Sequence, residues 1–482
     1  MDTIGSVVYV ALLAVLSIYG LHRYALLFLY LRHYRRRART QPPVLSRLPS
    51  VTIQLPLYNE RYVAGRIIPA AARVRYPREL LRVQVLDDST DDTGVIARRV
   101  VEEVRANGVR VEYHHRDHRD GFKAGALAAG LEATPDELVA IFDADFVPPA
   151  DFLEKTVPHF ADASVGMVQT RWTYLNRDYS LLTRLQALVL DGHFMLEHAA
   201  RSASGRYFNF NGTAGIFRAA AIRDAGGWHG DTLTEDLDLS YRTQMRGWKF
   251  VYLPEVECPS ELPVDIHGLK NQQYRWTKGS IQVARKLLPR IWRARAPLSV
   301  KVEATFHLSA NLSHLVLVAL SLVMPFAVAR RARAVTDGGF VIEALAFGVT
   351  TASVLIFYAV AQRELSRGWK LRLRDLPAIL ALGIGMCVNN AWAVAEALAG
   401  IETPFVRTAK YRIESWRDRW KGKLYRSVQR RFLLAEFLLC LYTGIAFAMV
   451  AWLNAWTALP YLGLFLAGHA YVFGLSLIHG RR

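Results

Sequence analysis

The sequence predicts an α/β domain of the Rossmann-like type inserted between membrane-spanning helices. Two observations predict it. From residue 51 to about residue 262, short apolar runs alternate with stretches of helical spacing, which is the pattern of βα units. Apolar stretches long enough to cross a bilayer stand before and after this part. The chain has 482 residues, 52% of them hydrophobic, which suffices for one large domain together with membrane segments.

The first apolar stretch covers residues 4–31 and is interrupted by His22 and Arg23. A cleaved signal peptide is the alternative, but Asp2 takes the place of basic residues and no small-residue cleavage site follows. We therefore expect an uncleaved anchor within residues 1–40. By the positive-inside rule, the next domain lies in the cytoplasm, because five arginines follow the stretch directly: Arg32, Arg35, Arg36, Arg37 and Arg39.

The soluble part, residues 41–268, contains the βα units. Each of the first three strand-like runs is followed by a stretch of helical spacing. The runs and stretches are VTIQL and 61–75, VQVL and 93–106, VRVEY and 121–132, then LVAIF. This order predicts a parallel sheet, whose ligands bind at the carboxyl ends of the strands.

Polar side chains stand where three of these runs end. They are Tyr58 and Glu60, then Asp87 and Asp88, then Asp143 and Asp145. The absence of a Gly-x-Gly-x-x-Gly motif disfavours a dinucleotide fold. Two carboxylates one residue apart suit a hard divalent cation that bridges a diphosphate, although strand ends also carry Asp as a cap.

Two further clusters follow along the chain. Glu235 and Asp236 stand at the start of a helix, where the helix dipole favours a charged carboxylate that can accept a proton. Gln272, Arg275 and Trp276 share one helix face, with a charge for phosphate and a flat apolar ring for a sugar. Taken singly, the clusters also fit a helix cap and an ordinary amphipathic helix. Their order behind the strand-end carboxylates favours a site.

Thr-Glu-Asp at 234–236 followed by Gln-x-x-Arg-Trp at 272–276 resembles the signatures of processive family 2 glycosyltransferases, such as cellulose, hyaluronan and chitin synthases. The runs FNGTAGIFR, TEDLDLSYR, GWKFVYL and QQYRW are most similar to the mannan and glucomannan synthase-like branch. The resemblance covers residues 51–279 strongly and implies a GT-A-type fold.

The resemblance also implies roles for individual residues. Asp236 is the catalytic base, with Glu235 beside it, and Asp143 and Asp145 hold a divalent cation, Mg²⁺ or Mn²⁺. The residues assigned to the nucleotide sugar are Tyr58, Glu60, Asp87, Asp88, Lys123, Gln272 and Arg275. For Lys123, a solvated helix position is an equal alternative. The residues assigned to the acceptor are Trp276, Phe210, Gly212 and Thr213.

Residues 269–300 carry basic side chains between apolar ones at helical spacing. We expect a helix in the membrane interface that holds Trp276 at the mouth of a channel; an ordinary surface helix is the alternative. The last part, 301–482, is the C-terminal membrane region. Its apolar stretches cover 305–329, 340–362, 376–400, 432–454 and 456–477.

Five full crossings after residue 300 would put the strongly basic segment 403–431 outside, against the positive-inside rule. The stretch 376–400 is divided by Asn389 and Asn390 and carries Glu396. We therefore predict five spans in the whole chain plus one irregular, re-entrant segment, with six full spans as the alternative. Residues 405–410 resemble a gating loop of cellulose synthases, but Arg407 and Ala409 depart from its pattern.

The expected activity is an inverting, metal-dependent synthase that extends a β-mannan, glucomannan or β-glucan from UDP-glucose or GDP-mannose and passes it across the membrane. A glycolipid synthase is the nearest alternative. A transporter or scaffold with a degenerate domain would lack some of the carboxylates, but all of them are present here. The net charge of +18 lies largely beside apolar stretches, which favours membrane lipid and disfavours nucleic acid as a partner. We expect a multi-pass protein of a bacterial inner membrane, with the catalytic domain in the cytoplasm.

Overall fold

The computed structural model describes residues 2–36, 44–331, 338–426, 428–454 and 456–480. Arg37 and Arg39 of the basic cluster lie outside them. The strands are β1 (Val51–Leu57), β2 (Leu81–Asp87), β3 (Val111–His115), β4 (Leu138–Ile141), β5 (Val165–Tyr174), β6 (Gly215–Arg218) and β7 (Lys249–Ser260).

The α-helices, in chain order, are α1 (Asp2–Leu29), α2 (Ala64–Ala72), α3 (Thr93–Ala106), α4 (Phe122–Glu132), α5 (Phe152–Thr156), α6 (Leu181–Gly192), α7 (Ala199–Ala203), α8 (Ala219–Asp224), α9 (Glu235–Met245), α10 (Ile266–Arg293), α11 (Leu298–Ser309), α12 (Ser313–Arg331), α13 (Gly338–Leu365), α14 (Trp369–Arg372), α15 (Leu376–Gly385), α16 (Cys387–Ala399), α17 (Leu433–Trp452) and α18 (Leu459–Gly480). Shorter 3₁₀ or π turns are Tyr30–Tyr34, Arg78–Leu80, Val157–Ala161, His193–His198, Ala310–Leu312, Leu373–Asp375 and Trp456–Ala458.

The sheet has the order β3-β2-β1-β4-β6-β5-β7. The predicted βα units are present, and β1, β2, β3 and β4 run parallel. The expectation of a parallel sheet is wrong for β6, which runs antiparallel to β4 and β5. The physical reason is the excursion through α6, His193–His198 and α7, which starts and ends at the carboxyl edge of the sheet. The chain therefore enters β6 from that edge, where Gly215 pairs with Ile141.

Helices cover both faces of the sheet, so its strands are almost wholly buried. On one face, Ile53 and Val83 pack with side chains of α2 and α3. On the other, Val139 and Phe217 share a core with α4 and with the excursion before β6. Tyr30, at the end of the first helical run, is buried in this second core, which joins α1 to the α/β domain.

Helix α10 joins the α/β domain to the membrane helices. Its N-cap Asp265 accepts a hydrogen bond from Gly268 N at 2.9 Å. Two of its lysines are fully buried: Lys270 pairs with Glu436 of α17, and Lys278 pairs with Glu396 of α16. Breaking such a buried pair costs about 3–5 kcal/mol. The basic residues of 269–300 therefore do not all form a solvent face, and the interfacial placement of this helix stays a prediction.

Among the described residues, five helical runs are long and apolar enough to cross a membrane. They are Val7–Tyr34, Leu298–Ala327, Leu345–Leu365, Leu433–Trp452 and Leu459–Gly480. The stretch predicted to be irregular forms a helix pair, Trp369–Gly385 and Cys387–Ala399, bent by 44°. Asn389 follows the bend and donates to the carbonyl of Lys270 at 3.1 Å, so part of its polarity is satisfied by α10. Whether this pair crosses stays a prediction.

Candidate active site

A cavity opens at the carboxyl edge of the sheet, where β1, β2 and β4 end. The starts of α9 and α10 and the segment 405–410 close its other sides. Most of the residues predicted for the site line this cavity: Tyr58, Glu60, Asp88, Lys123, Asp143, Asp145, Gly212, Glu235, Asp236, Gln272, Arg275 and Trp276. These residues come from seven separate places in the chain and meet in one space, as expected for strand ends of an α/β sheet.

Asp87, Phe210 and Thr213 do not line the cavity, so direct ligand contact by them is not supported. Asp87 is fully buried and accepts from Tyr113 Oη at 2.5 Å and from Ser89 N at 3.0 Å. Phe210 is fully buried against the Phe217 ring. Thr213 Oγ1 accepts from Asp143 N at 2.9 Å. These three side chains lie behind the cavity wall and support it. Their sequence neighbours Asp88, Asn211 and Gly212 face the cavity.

Asp236 and Glu235 occupy the first turn of α9, as predicted. Asp236 Oδ1 accepts from Leu237 N at 2.8 Å. Burial, followed by the neighbouring Glu235 carboxylate, raises the pKa of Asp236 to about 7. At the start of a helix, the helix dipole by itself would favour the charged form of this carboxyl group. Burial and like charge outweigh that dipole here, which leaves a carboxyl group that can both accept and release a proton near neutral pH.

Lys123 connects the two acidic groups of the site. Its Nζ donates to Asp143 Oδ1 at 2.5 Å and to the Gly212 carbonyl at 2.9 Å, and lies 3.9 Å from Glu235 Oε1. Burial alone would lower the pKa of Lys123, but Asp143 and Glu235 raise it overall. Lys123 is therefore unlike a solvated surface residue: its side chain is 18% exposed and faces the acidic groups of the cavity.

The Asp143 and Asp145 carboxylates fit a divalent cation, because both are hard oxygen ligands facing one cavity. Each also has a lysine partner: Lys123 for Asp143, and Lys410 for Asp145, whose Oδ2 accepts from Lys410 Nζ at 2.7 Å. Two ammonium groups thus balance the charge that a cation would balance.

Another group with ligand atoms within 4.8 Å of one another is His229, Asp231 and Asp238. It is not the predicted pair and does not line the cavity. Asp238 already pairs with Arg242 at 2.7 Å and with Lys286 at 2.9 Å. Ion pairs in the first turn of α9 therefore explain why these three side chains lie close together.

Arg275 lines the cavity from α10. It is half-buried, and its guanidinium carbon lies 4.6 Å from the centre of the Phe405 ring. Its Nη2 donates to Thr408 Oγ1 at 3.0 Å. Burial lowers the pKa of Arg275 but leaves an arginine charged at neutral pH. Its Nε is buried without a hydrogen-bond partner, which leaves a donor for a ligand.

Sequence reasoning missed several polar and aromatic residues of the cavity wall, and Arg116 behind it. Arg119 lies with its guanidinium carbon 3.4 Å from the centre of the Tyr58 ring. Arg116 binds Asp88 through two hydrogen bonds, 2.8 and 2.5 Å long. Arg407 Nη1 lies 3.3 Å from Glu60 Oε2. The gating-like motif at 405–410 was a signal for Phe405, Thr408, Arg407 and Lys410; Arg116 and Arg119 had none beyond the basic run before Lys123.

Gly212 has no room for a side chain. Its φ is +80°, and a Cβ would lie 3.1 Å from Asp236 Oδ2 and 3.4 Å from Lys123 Nζ. We expect Gly212→Ala to lower kcat about 100-fold, because a small displacement of the reacting groups has effects of that size. Initial rates with saturating donor measure this. Gly205→Ala, with similar φ (+69°) and open space around the Cβ, is the matched control. Equal losses in both variants would assign the effect to backbone strain alone.

Comparison with known proteins agrees with this geometry. Residues 49–279 match the family described as glycosyltransferase like family 2. The chain is 43% identical over 253 residues to glucomannan 4-β-mannosyltransferase 1 of Oryza sativa subsp. japonica, covering 52% of this chain and 49% of the relative. It is 43% identical over 255 residues to glucomannan 4-β-mannosyltransferase 2 of Arabidopsis thaliana, covering 52% and 47%. The chain thus spans about half the length of the curated relatives it matches.

Among solved structures, the mannosyltransferase PcManGT from Pyrobaculum calidifontis, in complex with GDP-Man and Mn²⁺, superposes with a TM-score of 0.56 at 21% identity. The match covers 83% of this chain and all of the other chain, and at this identity it shows a shared fold. It agrees with the GT-A-type fold expected from the sequence. Residues 49–279 therefore match a family 2 glycosyltransferase domain and have a fold of the GT-A type, flanked by apolar helices.

Proposed function

We propose that the chain is a membrane-embedded, inverting glycosyltransferase that extends a β-linked polysaccharide from a nucleotide-sugar donor. One observation carries the proposal: a carboxylate suited to act as base, a carboxylate pair suited to a cation, and the cations Lys123 and Arg275 face a single cavity. The glucomannan mannosyltransferase relatives favour mannan or glucomannan as the product and GDP-mannose as the donor. UDP-glucose and a β-glucan are the second choice.

The transfer needs a base and a stabilised leaving group. Asp236 accepts the proton of the acceptor hydroxyl while that oxygen forms a bond to the anomeric carbon. The bond from the anomeric carbon to the diphosphate oxygen breaks at the same centre, so an α-linked donor gives a β-linkage. Arg275 and Lys123 balance charge on the departing diphosphate, and their partial burial strengthens this effect.

A divalent cation, Mg²⁺ or Mn²⁺, would be held by Asp143 and Asp145 and would supply Lewis-acid stabilisation of the diphosphate. Lys410 pairs with Asp145, so cation binding requires this lysine to move to another partner. Tyr58, Arg119 and Asp88 form the part of the wall suited to the nucleoside, with a ring and a guanidinium for stacking. Trp276 and Gln272 form the part suited to the sugar acceptor.

Five candidate spans support an integral membrane protein, with the α/β domain on the cytoplasmic side by the distribution of arginines. Helix α10 lines the cavity and packs against the membrane helices, which offer a route for a growing chain, and coupled translocation is part of the proposal. The relatives named above are plant enzymes, so they give no support to a bacterial inner membrane.

The test uses the full chain in proteoliposomes with Mn²⁺ or Mg²⁺. GDP-mannose, UDP-glucose and UDP-N-acetylglucosamine, each labelled, are supplied separately and the product is sized. We expect a long polymer from GDP-mannose that β-mannanase degrades. A single sugar transferred to lipid would instead identify a glycolipid synthase, and no transfer from any nucleotide sugar would overturn the proposed function.

A further inference from the structure

A line of buried and half-buried polar side chains leads from the active-site cavity to the first membrane helix. Its members come from α1, from α11, from the helical excursion Leu181–Ala203, and from the loop that joins this excursion to β6. We call it the His22–Asn211 chain; its members are His22, Glu303, Arg201, Glu197, His193 and Asn211. The mechanism above uses none of the six.

The end at the cavity is Asn211, which lines the cavity wall beside Gly212. Its side-chain amide lies between two histidines: Oδ1 is 2.7 Å from His198 Nε2, and Nδ2 is 3.0 Å from His193 Nε2. His198 Nε2 also lies 3.0 Å from the Asn209 carbonyl, so it faces two acceptors and carries the proton. Burial lowers the pKa of His198 well below its usual value, and the ring is neutral. The Asn211 amide therefore has one possible orientation.

His193 continues the chain away from the cavity. Its Nδ1 lies 3.1 Å from Glu197 Oε2, and a carboxylate can only accept, so Nδ1 carries the proton and Nε2 accepts from Asn211. Glu197 remains ionised: burial opposes this, but Arg201 and His193 hold the pKa of its carboxyl well below the usual range. Arg201 Nη1 donates to Glu197 Oε2 at 3.2 Å.

The far end lies between membrane-helix segments. Arg201 Nε donates to Glu303 Oε1 at 2.9 Å, and His22 Nε2 lies 2.9 Å from Glu303 Oε2. The side chains of Arg201 and Glu303 are 3% and 6% exposed, so water cannot replace either partner. His22 stacks on Phe306, with ring centres 4.3 Å apart and planes 6° apart. Buried charges of this kind are expensive unless paired, which makes each link depend on the next.

We propose that His193 is a positioning residue for glycosyl transfer and that the His22–Asn211 chain makes the geometry of the site depend on α1. The loop that Asn211 holds contains Gly212, whose carbonyl binds Lys123, and Thr213, whose hydroxyl binds the backbone of Asp143. Gly212 also packs against the Asp236 carboxylate. Orientation of Asn211 thus sets where the base and the cation-binding carboxylate stand relative to each other. The inference rests on the proposed function for its kinetic test.

The test compares three variants of the full chain in proteoliposomes. His193→Phe keeps the ring and removes both nitrogens; we expect kcat to fall 10- to 100-fold while KM for GDP-mannose stays within about twofold. His193→Gln keeps an acceptor for Asn211 and should restore most of kcat. His22→Phe keeps the stack on Phe306 and should lower kcat about threefold to tenfold. His114→Gln, at a half-buried histidine on β3 whose Nε2 lies 3.3 Å from Glu112 Oε2, is the control.

A double-mutant cycle decides whether the six residues of the His22–Asn211 chain act as a unit. The double variant His22→Phe/His193→Phe should be no slower than His193→Phe alone, because the link is already broken at Asn211. Independent, multiplying losses would overturn the proposal, as would a change in KM with kcat intact. If His193→Phe does not fold, His22→Phe decides the matter through hydrogen exchange. Faster amide exchange at 209–214 in His22→Phe is expected, unchanged exchange would overturn the proposal, and this readout does not depend on what the enzyme transfers.

Discussion

Asp236→Asn is expected to abolish glycosyl transfer, with kcat at least about 1000-fold lower. The amide keeps the size of the side chain and the acceptor for Leu237 N, but it cannot take the proton of the acceptor hydroxyl. Nucleotide affinity should stay within about twofold, since the nucleoside part of the wall is untouched. Initial rates in proteoliposomes and calorimetry with GDP measure the two quantities.

Asp231→Asn, an exposed aspartate ahead of α9, is the matched control and should transfer at the wild-type rate. In the wild type, the same assignment predicts that kcat/KM falls about tenfold per pH unit below about 7, since the base must be unprotonated and burial raises its pKa to about 7. Full transfer activity in Asp236→Asn would remove Asp236 from the role of base and turn attention to Glu235.

Removal of the divalent cation is the second large effect. EDTA should stop turnover, and Mn²⁺ or Mg²⁺ should restore it, because the diphosphate would otherwise depart without charge stabilisation. Asp145→Asn should weaken Mn²⁺ binding at least tenfold, measured by electron paramagnetic resonance without substrate. Lys410→Ala should strengthen it, because this variant frees Asp145 from its ammonium partner.

Asp151→Asn is the control for the binding measurement, since Asp151 lies close in sequence and pairs with Lys155 on the surface. Turnover that continues at full rate in EDTA would contradict the role given to Asp143 and Asp145. Unchanged Mn²⁺ affinity in Asp145→Asn would place the cation elsewhere. His229, Asp231 and Asp238 would then be the next group to mutate.

The strand–helix alternation could be read from the sequence because it depends on local spacing. The helix predicted at 93–106 and that observed at Thr93–Ala106 coincide, and the strand ends lie where the polar residues begin. The direction of β6 could not be read in this way. It depends on where a long helical excursion returns to the sheet, and nothing in the spacing of Gly215–Arg218 records that.

Most of the predicted site could be found because strand ends meet at one edge of a sheet and because the motifs at 234–236 and 272–276 resemble a known family. Asp87 and Thr213 were predicted to contact the ligand, but their side chains lie behind the cavity wall. Alternate residues at the end of a strand face opposite ways, and the sequence shows the residue type without its direction.

Local spacing and residue type by themselves determined the α/β domain, the flanking apolar helices, the carboxylates at the start of α9 and the carboxylate pair after β4. Tertiary structure alone decided which cations meet those carboxylates: Lys410 reaches Asp145 across more than 260 residues of sequence. It also decided the His22–Asn211 chain, whose His22 and Glu303 are more than 280 residues apart. Such contacts arise because burial forces charged groups from distant segments to pair, and sequence spacing does not encode which partner is near.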